Sequence, residues 1–202
     1  MYDFSAERLL RDSGGFSQWK MEVFSASCSE VLISCYRKFS ELEGVGDPDY
    51  MEEVLEGVWA ALLTPRDGAS GVDLPASQEI LMMLPDQDEE WNEWSACAEN
   101  AVASVGLLLE LMAGGGREVV ARIAQQSYEA VDWIAADDLD PPFVDARQAE
   151  LILGSEIVQV ELGRQLSAIE ALRVAQDGQL DVVSALRRDA VALSIGERRR
   201  QG

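Results

Sequence analysis

Two pairs of carboxylates lie at helical spacing in this sequence, and such pairs can bind hard divalent cations. Glu53 and Glu56 are three residues apart in the segment EEVLE, and Glu129 and Asp132 repeat that spacing later in the chain. Residues three or four apart share one face of a helix. Mg²⁺ prefers carboxylate oxygens together with substrate phosphates. These four side chains define one alternative function, a magnesium-dependent hydrolase of nucleotide-like substrates.

The rest of the sequence argues against this hydrolase. No histidine occurs in the chain, which removes the usual general base near neutral pH, the Ser-His-Asp triad and histidine-containing metal sites. All-α nucleotide pyrophosphohydrolases use similar carboxylate pairs, but here the second pair lies farther along the chain than their motif requires. Lysines that would contact phosphates are scarce. We therefore favour a protein with no catalytic residues and no cofactor, and keep Mg²⁺ for the alternative.

The segment LPDQDEEWNEW contains five carboxylates and two tryptophans, with no basic residue. Calcium is disfavoured because the segment lacks the glycine and the spaced bidentate glutamate of an EF-hand loop. Two interpretations stay open: the capped start of a helix that buries both indole rings, or a surface for a basic partner. The second interpretation gives the following candidate partner-binding residues: Asp86, Asp88, Glu89, Glu90, Trp91, Glu93 and Trp94.

The charge balance favours a protein partner. Sixteen basic residues face 37 acidic residues, for a formal net charge of −21. Such a charge repels nucleic acids and anionic membranes, and it attracts basic proteins. Our leading hypothesis is an acidic, non-catalytic binding module, comparable to an immunity protein or antitoxin, that inhibits or regulates a basic partner without touching nucleic acid directly. The sequence leaves its oligomeric state open.

The cysteines and apolar segments favour the cytoplasm. Cys28 and Cys35 are seven residues apart in one predicted helix, a separation of about 10.5 Å that is too long for a disulfide. Buried free thiols suit a reducing compartment. The first residues contain no apolar segment of signal-peptide length, and the apolar run 101–113 is too short to span a bilayer. We therefore expect a soluble, cytoplasmic protein that does not bind membranes.

Apolar residues recur at helical spacing along the whole chain, and alternating strand patterns are missing. Ser17 is a predicted helix N-cap, and Asp47 with Pro48 predicts a second helix start. Further helices are predicted from about Trp91 to Ala113 and from the loop ending at Pro142 to about Gln176. We predict one all-α domain over residues 1–202, a bundle of about seven or eight helices, with residues 196–202 as a frayed basic tail.

The order of four segments is similar to that of a known bacterial family. These segments are FSASCSEVLISCYRKFSE, EGVGDPDYMEEVLEGVWAAL, ACAENAVASVGLLLEL and VVSALRRDAV. The match covers roughly Trp19 to Leu193. The chain resembles the YjaG-like family, an all-helical family also known as domain-of-unknown-function family 416. The resemblance implies a cytoplasmic, single-domain helical fold. It supplies no activity and no catalytic residues, and the acidic LPDQDEEWNEW segment and the arginine-rich tail depart from the family pattern.

Overall fold

The computed structural model describes residues 1–64, 73–84, 91–137 and 146–198. These residues form helices and no strands, and eight of the helices contain at least seven residues. The predicted all-α, single-domain bundle of seven or eight helices is therefore confirmed. The helices are α1 (Ala6–Asp12), α2 (Gln18–Glu43), α3 (Pro48–Leu63), α4 (Ser77–Leu81), α5 (Ser95–Met112), α6 (Arg117–Asp137), α7 (Ala146–Gly154), α8 (Glu156–Val174), α9 (Leu180–Leu193) and α10 (Ile195–Arg198).

Helix α2 is the centre of the bundle, and it packs against α3, α5, α6, α8, α9 and α10. Its start is fixed by Ser17, whose hydroxyl accepts a hydrogen bond from the Lys20 amide at 3.3 Å. Its end is fixed by Gly44, which has a φ of 69° in the left-handed region that glycine adopts without strain. The start of α2 agrees with the sequence prediction. At about 1.5 Å per residue, the 26 residues of α2 give it a length of about 39 Å.

Helix α5 runs antiparallel to α2 and forms the largest helix pair with it. Gln18 contacts the Leu111 carbonyl at one end, and Ser29 shares a 2.8 Å hydrogen bond with Ser104 in the middle. By length and composition alone α5 could cross a membrane, but 61% of it is buried inside the protein. Its apolar residues pack against α2, α4 and α6, as expected of a central helix in a bundle.

The start of α3 is held in place by a tight turn after α2. Asp47 caps α3 by accepting a hydrogen bond from the Tyr50 amide at 3.0 Å, and Pro48 is the first helical residue, as predicted. Gly46 has a φ of 82°, and a Cβ at this position would lie 2.5 Å from the Tyr36 hydroxyl. Only glycine fits there without displacing Tyr36. This turn sets the side of α2 on which the acidic residues of α3 lie.

Two helix boundaries differ from the sequence prediction. The helix predicted to reach Gln176 without interruption is split by Ser155, whose extended backbone separates α7 from α8. Helix α5 begins at Ser95 instead of Trp91, because Trp94 already serves as its N-cap residue. Helical periodicity continues across a one-residue break, so the pattern alone does not reveal it.

The predicted frayed tail is partly wrong. Gly196 is buried, and its amide donates a 2.9 Å hydrogen bond to the Ser34 hydroxyl of α2. A Cβ on Gly196 would lie 2.5 Å from the Ser34 carbonyl oxygen, so the close contact requires glycine. Residues 199–202 lie outside the described residues. At least the beginning of the tail is therefore part of the packed bundle.

Candidate functional site

An open groove of about 810 Å³ lies between α2, α3 and α9. Helix α3 supplies one wall, because the turn at Gly46 and the cap at Asp47 place its acidic face beside α2. Among the described residues, the groove is lined by five carboxylates and two basic side chains. Its lining residues are Glu30, Ile33, Ser34, Arg37, Asp49, Glu52, Glu53, Leu55, Glu56, Arg187, Val191 and Ser194. We call this surface the acidic groove.

Arg37 crosses from α2 to the first turns of α3 at one end of the acidic groove. Its Nε donates to Glu52 at 2.7 Å, and its Nη2 donates to Asp49 at 2.8 Å. The Asp49 and Glu52 side chains are 86% and 45% exposed. Ion pairs this exposed contribute little to stability, typically below about 1 kcal/mol. Arg37 thus orients two carboxylates while both stay accessible to a partner.

The other end of the groove is built on Trp59, which is fully buried. The indole N–H of Trp59 donates to Glu30 Oε2 at 2.5 Å. The guanidinium of Arg187 lies over the Trp59 ring, 5.7 Å from its centroid, and also pairs with Glu56. Burial raises the pKa of Glu30, although the bond from Trp59 opposes that shift. An aromatic face and two carboxylates therefore surround one cation.

Sequence reasoning did not find this combination. Arg187 lies in the middle of α9 and pairs with Glu56 of α3. Glu30, Trp59 and Arg187 come from three helices, and no sequence spacing connects them. The only visible signal was the three-residue spacing of Glu56 and Trp59, which places both on one face of α3.

The four carboxylates of the hydrolase alternative do not come together. Glu53 and Glu56 are exposed on α3, which packs on α2 and α9. On α6, Glu129 accepts a hydrogen bond from Gln125 and Asp132 accepts one from Tyr128. Across the described ranges, no group of three or more acidic or cysteine side chains is placed to hold a metal ion. The described structure therefore does not bring the four carboxylates of the predicted cage together, because α3 and α6 share no substantial contact.

The predicted partner-binding segment is only partly described. Asp86, Asp88, Glu89 and Glu90 lie outside the described residues. Trp94 is 3% exposed, so the prediction that it anchors a partner is wrong; it belongs to the core below α5. Trp91 is half-buried and meets Phe39 edge to face at 5.5 Å, and Glu93 is exposed. Both indole rings face the bundle, as the alternative interpretation expected.

A second polar cluster is buried between α2, α6 and α8, and we call it the internal cluster. Glu161 and Arg164 form a bidentate pair at 2.7 and 2.8 Å, with side chains 0% and 8% exposed. Glu161 also accepts hydrogen bonds from Ser127 and Gln165, each at 2.8 Å. Further donors of Arg164 reach the Ser27 hydroxyl and the Cys28 sulfur. Each charge therefore has close partners, which is the condition for burying an ion pair.

Cys28 lies at the edge of the internal cluster. All three cysteines are buried and free, as predicted for Cys28 and Cys35. Burial raises the pKa of the Cys28 thiol from 9.0 to about 11, although the nearby Arg164 guanidinium opposes the shift. Burial alone would lower the pKa of Arg164, but its contacts with Glu161 and Cys28 raise it. At neutral pH the internal cluster therefore holds a charged guanidinium beside a neutral thiol.

We expect this thiol to make the protein less stable at alkaline pH. An unfolded Cys28 ionises near its ordinary value of 9.0, whereas the native thiol stays neutral up to about 11. The stabilising contribution is complete below about pH 9 and is lost as the pH rises through about 11. A difference of two pKa units corresponds to about 2.7 kcal/mol. Urea unfolding across this range should show a smaller loss in Cys28→Ala than in wild type, and parallel profiles would contradict the assignment.

The family of the chain follows from its sequence. Residues 13–196 match the model of the family described as "Protein of unknown function (DUF416)". The chain belongs to the DUF416 family. This membership confirms the resemblance found in the sequence, and no curated protein matches the chain.

A solved DUF416 structure has the same fold. The crystal structure of a DUF416 family protein from Shewanella baltica OS155 superposes with a TM-score of 0.77 and 20% sequence identity, covering 95% of each chain. At this identity the similarity concerns the fold alone. It establishes the DUF416 bundle over nearly the whole chain. The function must be argued from the residues of this DUF416 protein.

Proposed function

We propose that this DUF416 protein is a non-catalytic, cytoplasmic binding module that inhibits or regulates a basic protein partner. The observation that carries the proposal is the acidic groove, where five carboxylates meet two arginines on one open surface between α2, α3 and α9. The groove lies on a chain with a net charge of −21, so the local and the overall charge favour the same class of partner.

The groove has the form expected of a protein-binding surface. Its carboxylates are supplied mainly by one rigid helix, α3, whose opposite face buries Met51, Val54 and Val58. Rigid presentation lowers the entropy lost on binding. The apolar side chain of Val191, which is 50% exposed, lies among the charges and gives a partner surface to cover. Charge around an apolar centre supports fast, steered association and specificity.

The test is charge reversal inside the groove. Glu52→Lys/Glu53→Lys changes the local charge by four units and leaves the buried face of α3 intact. We expect this variant to lose capture of a basic protein from a bacterial extract at low salt, and to associate about 10-fold or more slowly with that protein once purified. Association rates measured over a range of salt concentrations check both points, because steering weakens as salt screens the charges.

A matched variant separates the groove from overall charge. Glu110→Lys/Glu118→Lys makes the same charge change at exposed positions around the α5–α6 turn. This control should keep most of the association rate. Equal losses in the two variants would show that the net charge, and not the groove, attracts the partner. Capture of a basic protein that survives high salt and both variants would overturn the proposal.

A further inference from the structure

The Trp59 end of the acidic groove already holds a guanidinium group from the protein itself. We define the Trp59 pocket as the side of the Trp59 ring that faces Arg187 together with the carboxylates of Glu30 and Glu56. Arg187 of α9 fills this pocket: it lies over the ring at 5.7 Å from the centroid and pairs with Glu56. Its charge also acts on Glu30, where it favours the ionised carboxylate.

The contacts that hold Arg187 are open to solvent. The Glu56 side chain is 63% exposed and that of Arg187 is 29% exposed. Solvent and salt weaken such a pair, so the ion pair by itself does little to hold Arg187 in place. Helix α9 packs mainly on α2 and only lightly on α3. The Arg187 side chain can therefore leave the pocket while the helix stays in place.

The Trp59 ring beneath Arg187 is apolar, and its burial depends on a group that covers it. Trp59 is completely buried in the closed arrangement, with its N–H bonded to Glu30. When Arg187 leaves, the part of the ring that it covered meets water. A second guanidinium would cover that face and pair with Glu56 in the same way. The pocket thus favours exchange of one guanidinium for another over an empty state.

We propose that the Trp59 pocket receives an arginine side chain of the basic partner, and that Arg187 is an intramolecular competitor for that position. This inference rests on the proposed function and adds the chemistry of recognition to it. Arginine fits better than lysine because its planar guanidinium stacks on an indole ring while its N–H groups reach carboxylates on either side. Because Arg187 occupies the pocket, a partner that cannot displace it binds with lower affinity.

The experiment uses the full-length protein and a capped tetra-arginine peptide as the probe. Arg187→Gln empties the pocket, and we expect it to bind the peptide about five- to tenfold more tightly than wild type at fixed ionic strength. The matched control is Arg188→Gln, which makes the same charge change at the exposed neighbouring position. It should bind less than about twofold more tightly, because only the overall charge changes. Isothermal titration calorimetry gives the affinities.

Two further measurements locate the binding. Peptide addition should shift the Trp59 indole N–H resonance in Arg187→Gln, with Trp59→Phe identifying that resonance. The double variant Arg187→Gln/Glu56→Gln removes both charges of the ion pair. It should lose the gain in peptide affinity that Arg187→Gln shows over wild type. Arg187→Lys keeps the charge but not the planar stacking, so it should also bind the arginine peptide more tightly than wild type. This variant supplies the comparison should Arg187→Gln fail to fold.

The outcomes separate this inference from the proposed function. Equal gains in Arg187→Gln and Arg188→Gln, or an unmoved Trp59 resonance, would overturn the competitor role of Arg187. The acidic groove would still be the binding surface if Glu52→Lys/Glu53→Lys abolished association in the same experiments. If a basic partner associates equally fast with wild type and with Glu52→Lys/Glu53→Lys, the proposed function itself would be overturned. If Arg187→Gln raises the affinity for a tetra-lysine peptide as much as for tetra-arginine, the preference for guanidinium would be overturned.

Discussion

Replacing Arg164 with methionine is expected to lower the free energy of unfolding by about 3–5 kcal/mol. The Glu161 carboxylate is completely buried, and Arg164 is its charge partner through a bidentate contact. Methionine fills much of the space but offers no positive charge and no N–H groups. Glu161 would keep its hydrogen bonds from Ser127 and Gln165, which are too weak to replace a guanidinium. Urea unfolding followed by circular dichroism measures the change.

Two comparisons make this prediction specific to the buried pair. Glu161→Leu/Arg164→Met removes both charges and should recover most of the lost stability, because no charge then remains unpaired in the core. Arg8→Met breaks the Arg8–Asp12 pair, whose side chains are 49% and 33% exposed, and should cost less than about 1 kcal/mol. If Arg164→Met and Arg8→Met have equal effects, the internal cluster does not contribute as its geometry implies.

The second large effect is expected from Leu108→Ala in α5. Leu108 is 0% exposed in the middle of the helix that packs on α2, α4 and α6. Truncation removes buried apolar surface and leaves a cavity that helices packed on three sides cannot close, which typically costs about 2–5 kcal/mol. A matched control is Leu151→Ala, because Leu151 is 54% exposed on α7. That variant should change stability by about 0.5 kcal/mol or less.

The same unfolding measurement tests Leu108→Ala. The midpoint should move to lower urea while the slope of the transition stays the same, because the surface exposed on unfolding hardly changes. Two similar midpoints for Leu108→Ala and Leu151→Ala would mean that α5 is not enclosed as described. That result would also remove the reason for treating this apolar helix as the core of the bundle rather than as a membrane span.

The internal cluster and the acidic groove have different consequences for the molecule. Most members of the internal cluster are buried, and its charges pair with one another, so it specifies how α2, α6 and α8 meet. The acidic groove keeps its carboxylates at the surface, where Arg37 and Arg187 pair with only some of them. Variants of the first should change stability, whereas variants of Glu52 and Glu53 should change association. Measuring both properties in each variant separates folding from binding.

Local signals in the sequence were sufficient for the helices and their ends. The caps at Ser17 and Asp47 depend on a hydroxyl or carboxylate that reaches an amide three residues away, and both were predicted and found. The left-handed glycine that ends α2 belongs to the same class of local signal. The break at Ser155 was missed because a single extended residue leaves the apolar spacing on both sides unchanged. The burial of Trp94 was left open, since surface binding and core packing both use tryptophan.

The sequence by itself determined an all-α bundle with buried free thiols, a strongly negative charge and a place in the DUF416 family. Each of these follows from composition, from residue spacing within one turn of a helix, or from the order of segments. Only the tertiary structure decided that Glu30, Trp59 and Arg187 meet. It also decided that α3, which carries Glu53 and Glu56, has no substantial contact with α6, which carries Glu129 and Asp132. The physical reason is that helical periodicity shows which face of a helix is buried but not which helix covers it. That choice depends on how side chains from distant parts of the chain fit together, and here it produced a groove instead of a metal cage.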